Sequence, residues 1–185
     1  MGLDMYLTRK TYVKNWDHYP DDKKFSFSIL QGKNPYTKID TSKICYIEEE
    51  VGYWRKANSI HKWFVDNVQD GEDDCGTYYV NQDKLQKLLD VVNTVLDASE
   101  LDDGIIINGE TSHAGGPFIP NFETGKVILN TEVAENLLPT AEGFFFGNKD
   151  YNQWYIEDLQ ETKQIIESVL AMDNSDSQFY YNSSW

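Results

Sequence analysis

Thr77-Tyr78-Tyr79-Val80-Asn81-Gln82-Asp83-Lys84-Leu85-Gln86-Lys87-Leu88-Leu89-Asp90-Val91-Val92-Asn93-Thr94-Val95-Leu96 is the stretch that decides the fold. Its first four residues are aromatic or β-branched and read as a short strand. Asn81 then supplies an N-cap, because its side-chain oxygen can take a first-turn amide. Leu85, Leu88, Leu89, Val92, Val95 and Leu96 follow at spacings of three and four, which puts them on one helical face. A strand running straight into an amphipathic helix calls for a core shared between a sheet and a helical layer.

Outward from this unit, Leu3–Thr8 and Phe25–Ile29 alternate as strands, and Ile44–Ile47 reads as another. Helical patterning runs from about Glu49 to Gln69 and stops at Asp70-Gly71. Ile105–Ile107 and Val127–Leu129 read as paired strands flanking the Gly/Pro-rich segment Gly109–Gly125, giving a hairpin over 101–130. A short helix from Glu132 to Leu138 ends at Pro139. Phe144-Phe145-Phe146 reads as a strand or packed turn, and Phe179-Tyr180-Tyr181 as a closing strand. The sum is one α+β domain over residues 1–185. Its main helices are Glu49–Gln69, Gln82–Ala98 and Tyr151–Met172, packed on a mostly antiparallel sheet that includes Leu3–Thr8.

Composition narrows the function classes. In 185 residues, 40% are hydrophobic and 14% aromatic, enough for a core and too many for a disordered acidic chain. No apolar run approaches the roughly 18 residues a membrane span needs. Met1–Tyr6 has neither a basic nor a long apolar segment, so no secretory signal is expected. Cys45 and Cys75 are too few for a disulfide framework, and the expected location is a reducing cytoplasm.

The net charge is −15, and it is unevenly distributed. Residues 1–92 carry 13 basic and 15 acidic side chains; residues 93–185 carry only Lys126, Lys149 and Lys163 against 16 acids. Such a field repels nucleic-acid backbones and anionic membranes, and it attracts basic protein surfaces. Asp102, Asp103, Glu157, Asp158 and Glu161 are candidate partner contacts, the last three sharing a helix face at spacings of three and four.

Val51–Phe64 holds the densest set of unusual residues. On a helix turning about 100° per residue, Trp54, Asn58 and His61 fall on one apolar stripe with Arg55 at its margin. An amide and an imidazole on such a face either brace the core or line a pocket. Asp70, Asp73 and Asp74 cluster as weak metal candidates, but their spacing fits no EF-hand. A Cys75–His61 thiol–imidazole pair has no evident third member. Ser112–Pro117, with His113, is Gly-rich but follows no phosphate-cradling spacing, and no Walker, Rossmann, nucleophile-elbow or zinc pattern occurs. No cofactor is expected.

Several long strings resemble a family of small proteins encoded by bacteriophages and prophages. They are the opening Met1-Gly2-Leu3-Asp4-Met5-Tyr6-Leu7, then Glu49–Asn58, Ile60–Gly71 and Asp73–Cys75, and later Leu137-Leu138-Pro139-Thr140, Gly143–Gly147 and Tyr151. The segment from Leu101 to Asn130 looks like an insertion relative to typical members. The resemblance implies a phage origin and no particular activity. With the acidic charge, it gives the expectation of an inhibitor acting in the bacterial host's cytoplasm. Such an inhibitor, of anti-CRISPR or anti-restriction type, would bind a nucleic-acid-handling defence protein such as a CRISPR nuclease, with no direct nucleic-acid or membrane contact. The alternative is a protein that binds or sequesters a nucleotide or signal molecule around Trp54, Arg55, Asn58 and His61; an enzyme is a third reading.

Overall fold

A computed structural model describes residues 2–111, 119–143 and 146–185. Their elements, in chain order, are β1 (Asp4–Tyr12), β2 (Leu30–Gln31), β3 (Asn34–Pro35), β4 (Tyr46–Arg55), α1 (Asn58–Val68), β5 (Thr77–Val80) and α2 (Gln82–Ala98). There follow β6 (Leu101–Thr111), β7 (Ile119–Ile128), α3 (Glu132–Leu137), α4 (Gln153–Leu170) and β8 (Ser177–Ser184). The architecture is α+β. A four-stranded antiparallel sheet, in the order β4-β1-β8-β5, carries the helices on one face.

Alternation explains the sheet. Leu3, just before β1, and Met5 and Leu7 within it are fully buried, as are Phe179 and Tyr181 from its neighbour β8. They meet Leu85, Leu88, Val92 and Val95 of α2, and Leu159, Ile166 and Val169 of α4, in one core. The stretch quoted first behaves as its pattern predicts: Asn81 Oδ1 accepts the Lys84 amide at 2.8 Å and starts α2 at Gln82. In β4, Gly52 is required by close approach, since a Cβ there would lie 2.7 Å from Ile165 Cγ2 of α4.

Four expectations need correction. The helix over Glu49–Gln69 begins only at Asn58, because residues up to Arg55 pair with β1. Val51-Gly52-Tyr53-Trp54 alternates with Gly52 and Trp54 inward, a period-two pattern that the helical reading overlooked. The strand over Ile44–Ile47 starts at Tyr46, after a 3₁₀ turn at Thr41–Lys43. Phe25–Ile29 forms no strand: Asn15 takes both the amide and the carbonyl of Phe25, and pairing starts only at the segment's end, where the Ile29 carbonyl accepts the Tyr36 amide beside the β2–β3 ladder.

The hairpin of β6 and β7 forms, but in a different register from the one expected. Ile105, Ile106 and Ile107 face Thr124, Glu123 and Phe122, while Val127 faces Asp102. The ladder therefore continues well into the Gly109–Gly125 segment instead of stopping at its edges. Ser112–Pro117, His113, Phe144 and Phe145 lie outside the described residues. No helix among the described residues is long and apolar enough to cross a membrane.

Candidate functional site

The joint between β4 and α1 builds the site. Lys56 sits there with φ of 62°, a left-handed conformation that costs a lysine strain. It is held by its amide, which donates to Leu3 O, and by its carbonyl, which accepts from the Asn58 amide, both at 2.8 Å. Two residues later Asn58, itself buried, fastens the loop that follows α3. Its Nδ2 donates to the carbonyls of Phe146 (3.1 Å) and Asn148 (2.9 Å), and its Oδ1 accepts the Ala141 amide at 3.0 Å. Asn148 Nδ2 in turn donates to Ile107 O of β6 at 3.2 Å. One chain of amide bonds thus links α1, the loop and the hairpin.

These elements and α4 enclose a cleft of about 920 Å³, a size that holds a nucleotide-sized ligand. Arg55, Lys56 and Lys149 line it, together with Ile107, Trp154 and Asp158. Arg55 is largely exposed, its Nε 3.9 Å from Asp4 Oδ1. Lys149 is paired with Glu142. Asn152, also on the cleft wall and 1% exposed, accepts the Trp154 amide to cap α4 and leaves its buried Nδ2 without a partner among the described residues. Asp158 is partly buried, and its carboxyl is pushed up to about 7, first by burial and then by Glu161 and Glu157. A carboxyl so displaced on the lining of a cleft has the character of a binding or proton-handling group.

The expected stripe of Trp54, Asn58 and His61 is divided by the fold. Trp54 belongs to β4 and is fully buried, its Nε1 donating to Thr162 Oγ1 of α4 at 2.9 Å. His61 is 1% exposed and faces away from the cleft lining. Its Nδ1 lies 2.7 Å from the Tyr181 hydroxyl and its Nε2 2.9 Å from Asp73 Oδ2, so both nitrogens are engaged and neither serves Cys75. Of the four residues predicted to form the pocket, Arg55 and Asn58 line the cleft.

The acidic candidates separate as well. Asp73 is taken by His61 and Trp185, while Asp74 accepts the Gly76 amide. Asp70 ends α1 in a left-handed turn. Among the described residues no three His, Cys, Asp or Glu side chains group to hold a metal. Asp103 pairs with Lys126 at 2.7 Å, and Asp102 is exposed with one oxygen on the Asp103 amide. Glu157 and Glu161 are exposed on α4, whereas Asp158 is half-buried and lines the cleft. Lys56, Lys149, Asn152 and Trp154 went unrecognised in the sequence. The available signal was Lys149, one of only three bases after residue 92.

No protein-family model matches this chain, and neither does any curated protein or any solved structure.

Proposed function

We propose that the protein works by binding, and that its cleft takes up a small anionic molecule of nucleotide or signal-molecule type. One observation carries this reading: in a chain of net charge −15, Arg55, Lys56 and Lys149 are gathered on a single cleft. Of these, Lys56 is held there in a strained conformation and forms no ion pair among the described residues. Against the two carboxylates of the same lining, Asp150 and Asp158, the three cations favour an anion, and the acidic surface elsewhere keeps polyanions away. Combined with the resemblance to phage-encoded proteins, the reading is sequestration of a host small molecule. Native mass spectrometry of protein purified from cells, before and after denaturation, tests it. A retained anion, lost in a Lys56→Ala/Lys149→Ala variant, supports the reading; wild-type protein that neither retains an anion nor binds added nucleotides overturns it.

A second reading, an acidic inhibitor of a basic nucleic-acid-handling defence protein, is favoured by Glu157 and Glu161, both exposed one turn apart on α4. Electrostatic association of this kind weakens steeply with salt. Reversing both residues to Lys abolishes inhibition if the reading holds. Asp158 is left out of that variant because it belongs to the cleft.

A further inference from the structure

The cleft is bipolar. Arg55 and Lys56, from the end of β4, and Lys149, from the loop before α4, supply positive charge. Asp158 supplies a carboxylate from α4, and among the described residues no side-chain hydrogen bond or ion pair reaches that carboxylate. No cation of the cleft pairs with it: Arg55 reaches only Asp4, Lys149 goes to Glu142, and Lys56 forms no ion pair. A half-buried carboxylate with no protein partner has both oxygens available to donors that a ligand brings. Trp154 stands four residues before Asp158, on the same face of α4 and also on the cleft lining, so the indole and the carboxylate are neighbours.

Resting on the small-anion reading of this cleft, we infer that its ligand is a guanine nucleotide, the base meeting Asp158 beside Trp154 and the phosphates meeting Lys56, Arg55 and Lys149. The chemistry discriminates among bases. Guanine presents N1–H and the N2 amine side by side, a donor pair matched to the two oxygens of one carboxylate. Hypoxanthine has N1–H alone. Adenine presents a ring-nitrogen acceptor next to its amine, which sets lone pair against lone pair. The indole gives any of these bases an apolar surface, and the cations act on any phosphate, so neither distinguishes them. Selectivity therefore rests on Asp158.

Titration calorimetry at pH 8 with GDP, IDP, ADP and inorganic pyrophosphate tests the inference. The expected order of affinity is GDP, IDP, ADP, with GDP about tenfold or more tighter than ADP, as one additional charge-assisted hydrogen bond supplies. Asp158→Asn offers one acceptor and one donor in place of two acceptors, and is expected to collapse the GDP-to-ADP ratio to near one. Lys56→Ala is expected to weaken GDP and ADP together and leave their ratio intact. A thermal melt of each variant checks that it is folded. If pyrophosphate and the nucleotides bind but GDP is no tighter than ADP, or the ratio survives in Asp158→Asn, the guanine inference is overturned and the anion site stands. If neither pyrophosphate nor any nucleotide binds, the anion reading itself falls and takes the inference with it.

Discussion

His61 and Tyr181 join α1 to β8 through a 2.7 Å contact between the imidazole Nδ1 and the phenol oxygen. Because Asp73 Oδ2 lies 2.9 Å from the other ring nitrogen, the neutral arrangement has Nε2–H donating to Asp73 and Nδ1 accepting the phenol proton. Burial holds the Tyr181 hydroxyl well above its ordinary range, so it stays a donor, and its ring stacks on Phe64 at 3.9 Å. The group is a clasp. His61→Ala is expected to cost about 2–4 kcal/mol in urea denaturation, since it opens a cavity and leaves the Tyr181 hydroxyl unpaired. Tyr181→Phe should cost about 1–2 kcal/mol, and the double variant less than the sum, because the two share one bond. Binding at the cleft should be unaffected in all three.

Lys56 presents the opposite combination, a residue that harms the fold where it stands. Its φ of 62° lies in the left-handed region that suits glycine. Lys56→Gly is expected to raise stability by about 0.5–1 kcal/mol, strain relief outweighing the added freedom of the unfolded chain. Lys56→Ala keeps the strain and should not. Both variants should lose anion affinity to the same degree. A Lys56→Gly protein that is both more stable and as good a binder as the wild type would remove Lys56 from the site.

Much of the fold was legible because local patterns and tertiary packing agree in it. The Leu85-to-Val95 face and the Asn81 cap set α2 to the residue, and the alternation of Leu3–Thr8 marked the strand at the centre of the sheet. Val51–Arg55 misled because a short apolar stretch fits both periods, and it was the β1 ladder across Leu7–Gly52 that selected the strand. The same ambiguity hid the site. Asn58 and His61 differ by three helical positions, yet one fastens a loop some 85 residues away in sequence and the other a strand 120 residues away. Those pairings arise only on closure of the fold. So does the meeting of Lys56, Lys149 and Asp158, which no spacing in the chain records.

Asp158 makes stability depend on pH in the direction opposite to most paired carboxylates. Its folded-state value of about 7 lies above the 3.8 of an unperturbed aspartate, so between those values the folded protein binds the extra proton. The contribution is absent below about pH 4, and the penalty grows as pH rises to about 7 and then levels off. The full shift corresponds to about 4 kcal/mol, which partial exposure of the carboxyl reduces to about 2. Wild type and Asp158→Asn should therefore be similar at pH 4, with the variant more stable at pH 8. Comparing the two cancels the exposed acids Asp21, Asp40, Glu142 and Asp173, whose partners lower them and act in the other direction. A difference that does not change with pH would show that the carboxyl is not desolvated.

Asn58 is the residue on which the shape of the cleft depends. Its amide makes three hydrogen bonds to main-chain groups of the loop between α3 and α4, and each of those groups is left unpaired when the side chain is cut back. Asn58→Ala is expected to cost about 2–4 kcal/mol and to accelerate hydrogen exchange at Ala141, whose amide loses its acceptor. Asn58→Asp separates the donor role from the acceptor role. The carboxylate can still accept from Ala141, but it sets negative charge against the Phe146 and Asn148 carbonyls in a buried position, so it should be worse than alanine in spite of being isosteric. Because Lys149 directly follows Asn148 in that loop, both variants should also lose anion affinity, while the Asp73–His61–Tyr181 clasp on the other side of α1 keeps its protection. An aspartate variant as stable as wild type would mean that the two carbonyls find other donors, and the loop would then have to be held by Thr140 and Tyr155, through their bonds to Lys149 O and Leu138 O.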